Sequence, residues 1–391
     1  MISALPPSKN DERDGRPPGE VKPVELPVQR EKPFLPELAG ASRLVRIAEA
    51  RNLFKVDGRG TTVAVLDSGL RTTHRDFAGR VRGQRNFTGG NGGDPDDASD
   101  GHGHGTSLAG MICAGGVHRG VAPGAAIVPV KVLDDDGAGR FAAVAAGLQW
   151  VIDNCGPLEI SAACLAFGDG GNHPSDSGLC EQSIASRIRT LADLGVACCV
   201  AAGDDYFTHG SVQGMSYPAI VRDALSVGAV FEGDVGPAAH SSGAEAFETR
   251  ADRITPFSQR LHAKLGRECA TTILAPGGAM VSSGILSDSG SSLQHGTSRA
   301  TPLVAGVVLL LQSLHKRAMG SLPPVAELRR WLLDGAVAVV DVDDEHDNVL
   351  HTGLPFPRLD AVGALDSCAR DIARKALSAR PDSREATDLF R

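Results

Sequence analysis

Gly296-Thr297-Ser298-Arg299-Ala300-Thr301-Pro302-Leu303-Val304-Ala305-Gly306 is the stretch around which the rest of the chain is organised. Small residues lead into an apolar run, Leu303 to Leu311. That pattern predicts a turn feeding a buried helix to about Ala318, with a serine hydroxyl held at its start. A helix N-terminus aims free N–H groups and partial positive charge at such a hydroxyl. The serine is still a weak nucleophile unless a base adjoins it. Taken alone, the stretch reads equally well as a helix start that Thr297 or Ser298 merely caps.

Two upstream stretches supply the missing groups. Val63-Ala64-Val65-Leu66-Asp67-Ser68-Gly69 is an apolar strand ending in a carboxylate and a glycine turn. Gly103-His104-Gly105-Thr106 opens a second apolar helix, Ser107 to Ala114. Functional groups at strand carboxyl ends and helix starts fit the rule for sites in open α/β sheets. In chain order the groups read Asp, His, Ser, one of the orders in which Ser-His-Asp triads are built.

On these motifs the chain resembles the subtilisin-like serine proteases, the subtilases. VAVLDSG carries Asp67, GHGTSLAG carries His104 and GTSRATPLVAG carries Ser298. The likeness covers roughly residues 41 to 370 and takes in Gly120-Val121-Ala122-Pro123, Ala201-Ala202-Gly203 and Val227-Gly228-Ala229-Val230. It implies an α/β fold, a doubly wound and mostly parallel sheet with helices on both faces. It also implies a serine endopeptidase that needs no cofactor. Ser298 would attack the peptide carbonyl, His104 would serve as base and then acid, and Asp67 would orient His104. The domains expected are a disordered, Pro- and charge-rich tail over 1–40, a peptidase domain over 41–370 and a charged tail over 371–391. The first tail is too short and polar for the folded prosegment of many subtilases.

The resemblance further assigns Ala166, Phe167 and Gly168 to a wall that pairs with an extended substrate. Asp169, where the family usually has glycine, is expected in a solvent-facing turn, the alternative being selectivity for a basic P1 residue. Many relatives use the carboxylate at the Asp76 position to hold calcium, which takes six to eight oxygens. Here Cys113 to Arg119 is short and poor in oxygen ligands. No metal site is therefore expected, and Asp76 reads as a solvated or turn residue. His102 reads as exposed.

Two positions depart from the family pattern. Ala201-Ala202-Gly203 continues to Asp204, where the family has an Asn that donates to the oxyanion. An ionised Asp cannot donate. Arg299 follows Ser298 where Met is usual. Either Arg299 pairs with Asp204 or donates to the oxyanion, restoring positive potential. Or Asp204 is held protonated and donates as a neutral acid. The first reading is the one expected. Were neither to work, the chain would be a pseudoprotease that binds peptides or partners, or an esterase.

Bulk properties agree with a globular enzyme acting on polypeptides. Of 391 residues, 42% are hydrophobic and 22% charged, ordinary values for a folded domain. The net charge of −8 and the lack of a basic stripe argue against nucleic acid as a partner. No run reads as a membrane span, and MISALPPSKNDERDG lacks a secretory pattern, so the chain as written reads as cytoplasmic, with a processed and secreted form as the alternative. The eight cysteines show no metal-ligand spacing and read as buried thiols, with Cys198 and Cys199 on opposite faces of one strand. Gly89 to Asp100 carries Asp94, Asp96, Asp97 and Asp100 beside His104, a solvated loop or a cleft wall favouring basic side chains. Phe231 to Arg267 reads as a polar surface excursion. Asp341 to His346 reads as an acidic loop able to attract a cation.

Overall fold

The strand Thr62–Asp67 (β1) is buried along its whole length. Side chains alternate along a strand, so Val63 and Val65 enter one apolar cluster while Ala64 and Leu66 enter another. A continuous apolar run is what a parallel sheet covered on both faces requires. The computed structural model, which describes residues 19–21, 28–30, 38–179, 183–342 and 346–378, contains that sheet. Its further strands are Arg85–Asn86 (β2), Ala126–Lys131 (β3), Ile160–Leu165 (β4), Ala197–Ala201 (β5), Leu225–Val230 (β6), Ile273–Pro276 (β7), Met280–Ser283 (β8), Ser291–Gln294 (β9), Val337–Val340 (β10) and Pro355–Arg358 (β11). The main sheet has nine strands in the order β10-β11-β7-β6-β5-β4-β1-β3-β2. Neighbours are parallel except β10 and β11.

Helices cover both faces, giving the doubly wound α/β fold. Ile47–Phe54 (α1), His104–Cys113 (α2), Thr297–Met319 (α5), Val325–Asp334 (α6) and Ala361–Ser378 (α7) share one apolar cluster. Phe141–Asn154 (α3) and Ser183–Asp193 (α4) share the other. Cys198 and Cys199 divide between the two clusters, as strand alternation demands. Every described cysteine is a free thiol, and Cys180 lies outside the described residues. The chain runs from β1 to β3 on one side and then to β4 on the other. Such a switch opens a crevice at the carboxyl end of the strands, where Asp67 ends β1.

Several sequence expectations change here. Among the described residues α5, Thr297–Met319, is long and apolar enough to cross a membrane, against the reading that no run is. The share of its apolar window buried inside the domain is 94%, which makes it the core helix. The polar residues of this helix are satisfied inside the core: Thr301 Oγ1 donates to Thr297 O (2.8 Å) and Gln312 Nε2 to Ser161 O (2.7 Å). Within residues 1–40, Glu20–Val21 pairs with Gly139–Arg140 and Val28–Arg30 pairs with β9. The boundary drawn at 370 falls inside α7. The supposed surface excursion is buried from Ile254 to Leu261. Its polar groups bond internally: Arg260 meets Asp341 through two contacts of 3.0 Å, and both side chains are fully buried. Asp341 is therefore an internal ion-pair partner rather than part of an open cation loop, and residues 343–345 lie outside the described ones.

Candidate active site

Asp67 presents Oδ1 to two donors. The Ser68 N–H donates to it at 2.8 Å, and Nδ1 of His104 lies 2.8 Å away. Both Asp67 and His104 are buried. His104 is the first residue of α2, and Gly105 explains how the helix reaches β1. A Cβ at Gly105 would stand 2.3 Å from the Gly69 carbonyl oxygen, so only glycine permits this approach. Asp100 holds the helix start. Its Oδ2 accepts from the Thr106 N–H (2.9 Å) and hydroxyl (2.6 Å), and its Oδ1 from Gly103 N–H (2.7 Å) and Ser68 Oγ (2.9 Å). A carboxylate there also favours the helix dipole. Asp100 thus positions His104. Its signal was present in the sequence as an acidic residue just before a helix, but the surrounding Asp-rich loop obscured it. Lys131, buried at the end of β3, donates to Ser68 O at 2.5 Å and Asp135 Oδ1 at 2.7 Å. His102 is buried, not exposed, with its ring centroid 6.2 Å from that of His104. The tight turn that delivers His104 draws its neighbour inward with it.

Ser298 stands in the first turn of α5, after Gly296 at φ 122°, a conformation that favours glycine. Its hydroxyl donates to Ala166 O at 2.9 Å. Ser298, His104, Ala166, Phe167, Gly168 and Asp204 line one cleft. Asp169 is not in a solvent-facing turn. It accepts from Tyr217 N–H (2.9 Å) and Gly171 N–H (2.8 Å) and pairs with His173 Nε2 (2.8 Å). Burial opposes its charge, but His173 and these N–H groups hold the carboxyl below the usual range.

Asp204 and Arg299 do not meet. Asp204 Oδ1 accepts from the Thr297 N–H at 2.8 Å. Its Oδ2 lies over Gly296, where a Cβ would be 2.7 Å away. Arg299 is fully buried, is not among the residues lining the cleft, and donates through Nη1 to Gln294 Oε1 at 3.0 Å. The expected Arg299–Asp204 pair, and with it a guanidinium donor to the oxyanion, is thereby corrected. Successive helical residues turn by about 100°, so a Ser298 that faces the cleft sends Arg299 into the core. Burial pushes the guanidinium down to about 9, against the opposing charge of Asp67.

Asp76 is fully buried, not solvated. Its Oδ2 accepts from Ser283 Oγ (2.6 Å) and lies 2.6 Å from His118 Nδ1, and its Oδ1 accepts from His118 N–H (2.9 Å). Burial opposes the charge, but His118 and Ser283 hold the carboxyl below its ordinary range. His74 adjoins at 3.3 Å, and burial pushes its imidazole down. The three ligand atoms lie within 4.8 Å of one another. Two imidazoles and one carboxylate do not fit calcium, which wants six to eight oxygens. The short loop folds His118 back onto Asp76, a long-range contact that the string did not reveal.

Comparison with known proteins follows the same lines. The profile of the subtilase family matches residues 58–356. Subtilisin-like protease 2 of Pseudogymnoascus destructans is 33% identical over 278 residues, 70% of this chain and 58% of that protein. The intracellular serine protease of Paenibacillus polymyxa is 30% identical over 262 residues, 66% of this chain and 68% of that protein. The major intracellular serine protease of Bacillus subtilis is 34% identical over 181 residues, 45% and 52% of the two chains. The chain spans about half to two thirds of the length of these curated relatives. With its doubly wound sheet and a family profile matched over most of its length, the chain belongs to the subtilase family.

Proposed function

We propose that the protein is a serine endopeptidase acting on extended polypeptides through an acyl-enzyme. The observation that carries this reading is the buried His104–Asp67 contact of 2.8 Å, with His104 and Ser298 opening onto one cleft. Asp67 accepts the Nδ1–H of His104, fixing the tautomer that leaves Nε2 free as base. The Ser298 hydroxyl turns from the Ala166 carbonyl toward that nitrogen and attacks the substrate carbonyl, and contacts of this kind tighten when substrate binds. The imidazolium returns its proton to the leaving amine, and water completes the cycle. Ala166, Phe167 and Gly168 pair with the substrate backbone.

The oxyanion faces the Ser298 N–H and Asp204. With Oδ1 committed to Thr297, Asp204 contributes through Oδ2, and an oxygen there donates only when protonated. Asp204 would serve the oxyanion only in its neutral form. The two bacterial relatives carry the word intracellular in their names, which supports a cytoplasmic site of action; cell fractionation tests it.

The test is labelling by a fluorophosphonate probe with peptide hydrolysis in parallel. Stoichiometric labelling that Ser298→Ala abolishes is the expected result. No labelling of a folded chain, with peptide binding retained, would favour the pseudoprotease that the Asp204 departure suggests. Turnover of an ester but not of its peptide analogue would make it an esterase.

A further inference from the structure

A cavity of about 740 Å³ lies at the end of α5 remote from Ser298. Six cationic side chains line it: Arg51, Lys55, Arg59, Arg119, Lys316 and Arg317. Among the described residues that line it, Asp57 is the one carboxylate. The chain as a whole carries 47 acidic residues and 39 Lys and Arg, so the cavity reverses its balance.

Three elements deliver these groups. Arg51 lies in the last turn of α1, and Lys55 follows as its C-cap. Arg119 sits in the loop after α2, and Lys316 and Arg317 in the last turn of α5. Backbone carbonyls anchor several of them. Arg51 Nη1 donates to Gly120 O at 2.6 Å, and Lys316 Nζ to Gly60 O at 2.9 Å. Arg317 donates to Lys55 O at 2.6 Å and to Phe54 O at 2.8 Å. A guanidinium carries five N–H donors, so these bonds fix an arginine without exhausting it. Carboxylates approach more loosely. Arg59 Nη2 stands 3.6 Å from Asp57 Oδ2, and Lys316 Nζ 3.5 Å from Glu159, which also pairs with Arg82.

Helix ends account for part of this charge. A helix C-terminus is equivalent to roughly half a negative charge, which basic groups in the last turn complement. The ends of α1 and α5, with Asp57, therefore offset about two of the positive charges. The rest is a surplus in a concave site, where low-dielectric walls focus the field on anions.

We propose that this cavity binds a compact polyanion carrying two or more phosphoryl groups. Arginine forks match phosphoryl oxygens, and lysines add point charges. A closed-in cavity suits a small oligophosphate, whereas a nucleic-acid backbone calls for an extended basic stripe. The ligand ties α1, the loop after α2 and the end of α5 together, and so stabilises the folded chain. With 23 residues in α5, about 30 Å separates this site from Ser298. Binding here is independent of the hydrolase reading.

The experiment is isothermal titration calorimetry on the full chain carrying Ser298→Ala, which prevents self-cleavage, at about 0.15 M salt. Inorganic triphosphate, inorganic phosphate and an oligoglutamate are titrated in turn. One triphosphate per chain with a micromolar Kd is expected, with phosphate and oligoglutamate at least about tenfold weaker. The thermal midpoint should rise with triphosphate concentration. Lys55 and Arg59 are exposed, so Lys55→Gln and Arg59→Gln should keep the fold. Each should weaken triphosphate about tenfold, the worth of one charge-assisted hydrogen bond. Asp57→Asn removes the lining carboxylate and should tighten binding. Arg250→Gln, outside the cavity and exposed, should change nothing. Adenosine triphosphate and inositol hexakisphosphate, titrated next, distinguish a nucleotide from a phosphorylated polyol as the source. No triphosphate binding, or equal affinity in the parent and both cavity variants, would overturn the proposal. So would phosphate or oligoglutamate binding as tightly as triphosphate. If one cavity variant does not fold, the other decides.

Discussion

Nδ1 of His118 lies 2.6 Å from Oδ2 of Asp76, and both side chains are buried. An imidazole therefore neighbours the carboxylate that the resemblance to subtilases links with calcium. His118 also reaches Ser291 Oγ through Nε2 at 2.9 Å, which ties the loop after α2 to β9, the strand leading to Ser298.

His118→Ala removes the imidazole from buried Asp76 Oδ2 and leaves the carboxylate with the position-118 N–H and Ser283 Oγ. A loss of about 2–3 kcal/mol is expected, read as a lower midpoint in urea. Chelator and millimolar calcium should leave the parent's thermal midpoint unmoved. A clear rise with calcium would show that a cation site helps hold this fold.

Asp204→Asn restores a donor that needs no proton. At neutral and alkaline pH, kcat should rise by up to about 10²–10³, the worth of one oxyanion donor, with little change in KM. If the variant instead loses activity while circular dichroism shows an intact fold, Asp204 has a role that an amide cannot supply.

His351 links stability to pH. Its Nδ1 lies 2.7 Å from Asp341 and its Nε2 3.0 Å from Asp347. Burial opposes charging, but the bonds to Asp341 and Asp347 and their charges hold the imidazole up to about 9. The folded state thus binds this proton more tightly than the unfolded chain, whose histidine titrates near about 6.5. The stability it contributes is complete below about pH 6.5 and is lost as pH rises through about 9. Thermal midpoints from pH 6 to 10 should fall across that window. His351→Gln should lower the midpoint at pH 6 and flatten the fall. Asp341→Ala is more severe, about 3–5 kcal/mol, because it strands the buried charge of Arg260.

The fold was legible because its cause is repetitive. β1 alternates between two apolar clusters, and α2 and α5 begin with small residues and continue apolar. Each property recurs within a few residues, so a linear reading detects it. The stretch from Ile254 to Leu261 was misread for the opposite reason. Its polar side chains look solvated in the string, yet Ser258 and Arg260 bond inside the protein. Polarity predicts exposure only when no distant partner is supplied.

The candidate site divides in the same way. Asp67, His104 and Ser298 were named from short motifs, since strand end, helix start and small-residue turn are local features. Three of the partners that bury these carboxylates, His118 for Asp76, Tyr217 for Asp169 and Arg260 for Asp341, come from 42, 48 and 81 positions away. Such contacts carry no local pattern.

The sequence by itself determined the element types, the two-faced sheet and the three groups offered at its carboxyl end, because backbone geometry and apolar periodicity act between near neighbours. Tertiary structure alone decided that Arg299 turns into the core onto Gln294 instead of out toward Asp204. The reason is rotational: the angle at which α5 packs on the sheet chooses which side of its first turn meets the cleft, and that angle is set by contacts along all of the helix.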